Sequence, residues 1–85
     1  MKLLRTERFA RDYVGLPEKV RRQTERKLRY LAENLVHPFL RVKRVQRYRD
    51  VYEVSINRDH RMLFLIASGA YVLLRIGRHD IINRL

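Results

Sequence analysis

The fold is decided by residues 51–67, which read VYEVSINRDHRMLFLIA, because this stretch has the period of a β-hairpin. Val51–Ile56 alternates apolar and polar side chains, which is typical of a strand with one buried face. Asn57–His60 has the composition of a turn, and Arg61–Ala67 is rich in residues that favour strands. The first strand places Tyr52, Val54 and Ile56 on one face, opposite Glu53 and Ser55. We therefore predict two antiparallel strands joined by a turn.

Further strands are predicted on both sides of this hairpin. Ser68 and Gly69 supply the next turn, and Tyr71–Ile76 is again apolar and prone to form a strand. Strict alternation would place Val72, Leu74 and Ile76 on the face opposite Tyr71, Leu73 and Arg75. Val42–Arg47 is a candidate for an additional strand before the hairpin. Together these segments predict a twisted antiparallel sheet.

The first half of the chain has helical spacing instead. Lys2–Arg5 is predicted to be a short strand, with Thr6 as the N-cap of a helix that ends at Gly15 and Pro17. Pro17 can open a second helix that continues to His37-Pro38. One face of this helix carries the apolar stripe Val20, Thr24, Leu28, Leu31 and Leu35. We predict an α+β fold in which residues 1–85 form one domain, with the N-terminal strand and helical hairpin packed on the sheet.

Composition limits the class of protein. The 85 residues are 46% hydrophobic, which is enough for a packed core, and carry a net charge of +11. Without cysteine there is no disulfide and no thiolate metal site. The longest apolar run, Met62–Ala67, is far shorter than the ~20 residues that span a bilayer. No hydrophobic signal-peptide region follows Met1, so we expect a cytoplasmic protein with no membrane partner.

The positive charge is concentrated in the first half of the chain. Residues 1–50 have a net charge of +9 and residues 51–85 one of +2. Arg41–Arg49 contains five basic residues and no acidic one, and 16 of the 20 basic residues are Arg. The guanidinium fork suits bidentate phosphate binding. Such a surface could simply be solvated, but the size of the excess favours a polyanion as partner.

Few residues can carry chemistry. The three histidines have no metal-ligand spacing, and the isolated glycines form neither a P-loop nor a dinucleotide motif, so we expect no metal and no cofactor. Glu53 is either a cross-strand ion-pair partner or a general base. Arg75 interrupts an apolar strand and needs a partner, which is either structural, such as Glu53, or a bound phosphate. His79 is either a solvated residue or a proton donor, since imidazole exchanges protons near neutral pH.

Four segments give the sequence a family resemblance. Leu40–Val45, Val51–Ile56, Asp59–Phe64 and Leu74–Ile81, following a helical hairpin, resemble the RelE/ParE superfamily, the toxins of type II toxin–antitoxin systems. The chain is most similar to the subgroup of cytotoxic translational repressors, whose C-terminal segment reads Arg-Ile-Gly-x-His-Asp. The resemblance covers essentially all 85 residues. It implies two helices packed against a twisted antiparallel sheet.

The resemblance also implies an activity, namely ribosome-dependent cleavage of mRNA without a metal. The ribose 2′-hydroxyl attacks the adjacent phosphate and leaves a 2′,3′-cyclic phosphate and a 5′-hydroxyl. Arg61 matches the family's phosphate-clamping arginine, Glu53 would be the base or would position Arg61 or Arg75, and His79 would be the general acid. The relatives' C-terminal Tyr is missing, because this chain ends Ile81–Leu85. Tyr48 or Tyr52 could take over its stacking role.

The resemblance further implies RNA contacts and partners. The predicted RNA- and phosphate-binding residues are Lys43, Arg44, Arg47, Arg75 and Arg78. The predicted partners are mRNA, the ribosome and an acidic antitoxin that folds across the basic surface. Two other functions stay open at this point. One is a ParE-like inhibitor of DNA gyrase, and the other is an RNA- or ribosome-binding module without activity.

Overall fold

The computed structural model describes all 85 residues as five strands, two α-helices and a C-terminal 3₁₀ helix. The strands are β1 (Lys2–Arg5), β2 (Lys43–Arg44), β3 (Val51–Ser55), β4 (His60–Ala67) and β5 (Ala70–Arg78). The helices are α1 (Glu7–Val14), α2 (Glu18–Glu33) and the 3₁₀ helix (His79–Arg84). Neither α-helix has the length and apolar character needed to cross a bilayer.

The strands form one sheet in the order β1-β5-β4-β3-β2. The run from β2 to β5 is antiparallel, which confirms the predicted meander and the α+β class. The N-terminal strand, predicted to pack on this sheet, is its edge strand, and β1 pairs parallel to β5 with Lys2 opposite Ala70. A parallel pair needs a long connection, and here both helices and three strands separate the two partners.

Both faces of the sheet are covered. The face toward α1 and α2, which we call the helix face, carries the larger core; its most deeply buried members include Phe9, Leu31, Val54, Phe64 and Leu73. The opposite face, which we call the back face, carries a smaller cluster made of Val45, Val51, Leu63 and Ile81. Ile81 belongs to the 3₁₀ helix, so this short element closes the back face. Glu53 alternates with Val54 and therefore lies on the back face.

The start of α1 is fixed by Thr6, as predicted. Its hydroxyl accepts a hydrogen bond from the Phe9 N–H at 3.2 Å and donates one to the Leu73 carbonyl at 2.8 Å. The same side chain therefore caps the helix and joins it to β5. Gly15 ends the helix, also as predicted.

The predicted end of α2 at His37 is wrong. The helix stops at Glu33, and Asn34 has the extended φ of −166°. The Asn34 side chain accepts a hydrogen bond from the Val36 N–H, and His37 Nδ1 accepts one from the Phe39 N–H. These local side-chain acceptors stabilise turns in competition with the helix. Leu35 consequently leaves the helical stripe, whereas Val20, Thr24, Leu28 and Leu31 are buried as predicted.

Strict alternation along β5 is also wrong. Leu63 is opposite Arg75 and Phe64 is opposite Leu73, so Leu74 is an extra residue in the β5 ladder. This bulge reverses the orientation of the following residues. Ile76 therefore joins Tyr71 and Leu73 in the core of the helix face, instead of lying opposite them.

The last strand extends beyond the predicted Tyr71–Ile76 by two residues at its C-terminal end. β5 ends at Arg78, and His79 begins the 3₁₀ helix. Ile81 drives this change because its side chain is 8% exposed in the back-face cluster. Gly77 permits the close approach, since a Cβ at that position would lie 3.2 Å from Ile81 Cδ1.

Candidate active site

Glu53 lies on the back face without an ionic partner. Its register neighbours are Lys43 on β2 and Leu63 on β4. The four ion pairs of the protein all involve other carboxylates, so the predicted bridge from Glu53 to Arg75 is not formed. Glu53 is therefore an unpaired, half-buried carboxylate on a protein with a net charge of +11.

The Arg61 guanidinium is hydrogen-bonded to the protein through one nitrogen, and its other two nitrogens are free to donate. Its Nη1 donates to three turn carbonyls, those of Asn57 at 2.8 Å, His60 at 3.0 Å and Arg58 at 3.2 Å. Its Nε and Nη2 donate to no protein acceptor. The guanidinium is thus fixed in position while two N–H directions remain available, an arrangement that suits an oxyanion.

Register places Arg61 close to Glu53. Arg61 is opposite Ser55, which is two residues beyond Glu53 on the same face of β3. Such diagonal neighbours in an antiparallel pair are typically about 7–8 Å apart. The sheet therefore brings together a carboxylate and an anchored arginine that are separated in the sequence by the β3–β4 turn.

Asn57 organises this turn, a role that the sequence reasoning missed. Its Oδ1 accepts hydrogen bonds from the N–H groups of Asp59 and His60, both at 2.9 Å. Its Nδ2 donates to Gln23 on α2 at 2.7 Å. The pattern Asn-x-Asp-His signalled a turn, but the link to α2 that fixes the carbonyls around Arg61 has no local signal.

His79 is attached to the same end of the sheet. Its backbone N–H donates to the Asp59 carbonyl at 2.8 Å, and the neighbouring Arg78 is opposite His60. The side chains of Arg78 and His79 are exposed. The backbone positions of Arg61, Arg78 and His79 thus lie at the same end of the sheet, where the β3–β4 turn contacts the end of β5. Glu53 lies two residues before Ser55, the register partner of Arg61.

The concentration of positive charge at this end affects His60. Burial, and then the nearby charges of Arg78 and Arg61, lower the pKa of the His60 imidazole, while Asp59 opposes the change. His60 Nδ1 also lies 3.1 Å from Asn57 Oδ1. The imidazole is therefore held mainly neutral at neutral pH, inside the hydrogen-bonded turn.

This lowered pKa predicts how stability changes with pH. The unfolded state takes up a proton near pH 6.5, while folded His60 resists it, so the free energy of unfolding should fall as the pH drops below about 6.5. His60→Gln should reduce this fall between about pH 7 and pH 5.5, above the range in which carboxylates titrate. Urea unfolding at several pH values measures the effect. Equal pH dependence in the variant and the wild type would contradict it.

Arg75 does not belong to the RNA-binding set. Its Nε and Nη2 donate to the carboxylate of Asp12 at 2.7 and 3.1 Å, and its Nη1 donates to the Arg84 carbonyl. The hydrogen bond to Asp12 raises the pKa of the guanidinium. The expectation that Arg75 has a definite partner is confirmed, but the partner is Asp12, and we correct its assignment from phosphate binding to structure.

The remaining predicted residues flank the site at the β2 edge. Lys43 and Arg44 are exposed, and Arg44 is opposite Tyr52. Arg47 donates to the Asn83 side chain at 2.8 Å, so it is linked to the 3₁₀ helix. Neither tyrosine is placed as a stacking residue at the centre of the site. Tyr52 stacks on Phe64 in the helix-face core, and Tyr48 packs on the back-face cluster.

The fold of this chain is shared with solved toxins of the RelE, YoeB and ParE type. The RelE–RelB toxin–antitoxin complex from Methanococcus jannaschii superposes with a TM-score of 0.78, at 15% identity, over 95% of each chain. The YoeB/ParE toxin from Agrobacterium tumefaciens superposes with a TM-score of 0.79, at 15% identity, over 93% of this chain and 99% of the other. The isolated E. coli RelE toxin superposes with a TM-score of 0.73, at 19% identity, over 91% of this chain and 82% of the other.

These similarities establish the fold of this chain. They confirm the predicted resemblance to the RelE/ParE superfamily at the level of the fold. No protein-family model matches the sequence, and a comparison with curated proteins gives no significant match.

Proposed function

We propose that this protein is the toxin of a type II toxin–antitoxin system, and that it cleaves ribosome-bound mRNA without a metal. The fold and the family resemblance support the class. The observation that carries the activity is Arg61, whose guanidinium is anchored by turn carbonyls and keeps two donors free, at a position diagonal in the strand register to the unpaired Glu53.

The proposed reaction needs a base, a charge-stabilising donor and an acid. Glu53 takes the proton of the ribose 2′-hydroxyl as the 2′-oxygen forms its bond to phosphorus. The free N–H groups of Arg61 stabilise the extra negative charge on the phosphate oxygens. His79 gives a proton to the 5′-oxygen as the phosphorus–5′-oxygen bond breaks. The products are a 2′,3′-cyclic phosphate and a 5′-hydroxyl.

The surroundings support an RNA substrate. Arg78 is exposed next to His79, and Lys43 and Arg44 are exposed beside Glu53, so cations border the proposed site on two sides. The exposed groups stand on the sheet surface instead of inside an enclosed cavity. We therefore propose that the ribosome positions the mRNA across Glu53 and His79, since these two side chains stand on an open surface that does not enclose the reacting nucleotides.

We also propose an acidic antitoxin as the cellular partner. The M. jannaschii neighbour is a structure of a RelB–RelE antitoxin–toxin complex, and an E. coli neighbour is a RelBE toxin–antitoxin complex. A net charge of +11 favours a partner of opposite charge, and a disordered acidic segment could follow the basic surface and fold on it.

Controlled expression tests the proposed activity. Induction of the wild type should stop translation and produce new 5′-hydroxyl ends on translated messages, measured by mapping RNA 5′ ends. Growth arrest with intact messages would contradict cleavage. A DNA-damage response without translation arrest would instead indicate gyrase inhibition. Normal growth with abundant folded protein would indicate a binding module without activity.

A further inference from the structure

A basic groove of about 700 Å³ lies beside the proposed active site. It runs between α2 and the β3–β4 turn, and the loop of residues 39–41 forms its third wall. Five cations line it and no Asp or Glu does; these are Arg26, Lys27, Arg41, Arg58 and Arg61. Arg61 is the only proposed catalytic residue among them, so the groove adjoins the active site but extends away from Glu53 and His79.

The cations of this groove repel one another. Burial, followed by the charges of Arg41 and Arg26, lowers the pKa of Lys27. The Lys27 ammonium donates to the Phe39 carbonyl at 2.6 Å, so it is held within the groove wall. A bound anion would relieve this repulsion, because no carboxylate in the groove does so.

Aromatic rings lie on the same wall as these cations. Tyr30 stacks on His37, with ring centroids 4.2 Å apart and planes within 14°. The ring centroid of Phe39 lies 5.6 Å from that of His37 and 6.1 Å from that of Tyr30. Phe39 is 64% exposed. An exposed ring in an aromatic cluster, next to cations, is the arrangement that binds the bases and phosphates of single-stranded nucleic acid.

We propose that this groove is a second RNA subsite, which binds one or two nucleotides of single-stranded RNA with a base stacked on Phe39 and phosphates on Lys27 and Arg41. This subsite rests on the proposed function, since an RNA strand bound in the groove would lead to Arg61. Binding of RNA in the groove does not itself require cleavage. An acidic peptide could satisfy the cations but would leave the exposed ring without a stacking partner.

Binding of an uncleavable oligonucleotide tests the subsite. The probe is fluorescent 2′-O-methyl hexaadenylate, because its blocked 2′-oxygen cannot attack phosphorus. Phe39→Ala should weaken binding about tenfold without changing the salt dependence, because stacking carries no charge. Arg41→Asn should weaken binding and lower the slope of log affinity against log salt by about 0.7, which corresponds to one phosphate contact. Asn suits the positive φ of 51° at this position.

Matched controls lie outside the groove. Lys19→Ala removes an exposed cation from α2, and Val14→Ala removes an exposed apolar side chain from α1; both should bind as the wild type does. Phe39 and Arg41 are exposed, so their variants should keep the wild-type melting temperature, which circular dichroism checks.

Two results would overturn the subsite. One is wild-type binding by Phe39→Ala, which would show that no base stacks there. The other is displacement of the probe by hexaglutamate at equal concentration, which would identify an acidic-peptide site. The proposal of the subsite and the proposal of mRNA cleavage can be refuted independently of each other. A wild-type protein that binds the probe but cleaves no mRNA would refute only the cleavage.

Discussion

Replacing Arg61 with alanine is expected to lower mRNA cleavage by about 10²–10³-fold, because it removes a fixed donor from the place where charge develops on the phosphate. Induced cells should keep growing, and the new 5′ ends should disappear. Arg61→Lys should recover only part of the activity. A lysine ammonium keeps the charge, but it lacks the planar fork that lets one side bind the turn carbonyls while the other faces the substrate.

The control for this experiment is Arg11→Ala. Arg11 is an exposed arginine on α1, so the variant has the same change in net charge without touching the site. Glu53→Gln should lose activity as strongly as Arg61→Ala, since it removes the base. Equal and small effects of Arg61→Ala and His79→Ala on growth would contradict the proposed site and support a protein without catalysis. Thermal melting must show that each variant is folded, because Arg61 also stabilises the turn.

Replacing Asp12 with alanine is expected to lower the free energy of unfolding by about 3 kcal/mol, because it leaves the charge of Arg75 largely buried and unpaired. The side chain of Arg75 is only 14% exposed, and that of Asp12 is 18% exposed. Asp12 also accepts a hydrogen bond from the Ile76 N–H at 3.1 Å, at a point beyond the last residue of β5 that pairs with β1. The Asp12 carboxylate thus neutralises the charge of Arg75 and accepts a backbone hydrogen bond from β5 where β1 no longer pairs with it.

A double-mutant cycle distinguishes the ion pair from simple packing. In a chain of this size about 3 kcal/mol corresponds to a fall in melting temperature of roughly 15 °C. Asp12→Ala/Arg75→Met should be less destabilised than Asp12→Ala alone, since the unpaired charge is gone. Glu7→Ala, which breaks an exposed pair with Arg11, should have little effect. A loss of under about 1 kcal/mol for Asp12→Ala would contradict the structural role of the pair.

Local patterns predicted most elements of the fold. The alternation in Val51–Ile56 predicted β3, and the cap at Thr6 and the stop at Gly15 predicted α1. These features depend on residues that are close in the sequence. The two wrong predictions, the end of α2 and the strict alternation along β5, also have local causes, which override the helical or strand periodicity of the sequence. Side-chain acceptors on Asn34 and His37 end α2 early, and an extra residue at Leu74 shifts the ladder.

The candidate site was predicted less completely. The types of residue that an RNA-cleaving site needs were recognisable, and the sheet brings Glu53, Arg61 and His79 toward one end as antiparallel pairing requires. Their chemical roles stay predictions until the variants are measured. The anchoring of Arg61 by Asn57 was not predictable, because the link runs through Gln23 on α2.

The sequence by itself determined the hairpin, the helical stripe, the absence of cysteine chemistry and the excess of 11 positive charges. Only the tertiary structure decided what individual arginines do. Arg75 is paired with Asp12, 63 residues away, whereas Arg61 keeps two donors free and contributes to a groove built from three separate segments. The reason is physical. Local periodicity decides which face of an element is buried, but whether a charge is neutralised depends on which distant residue the fold brings to it.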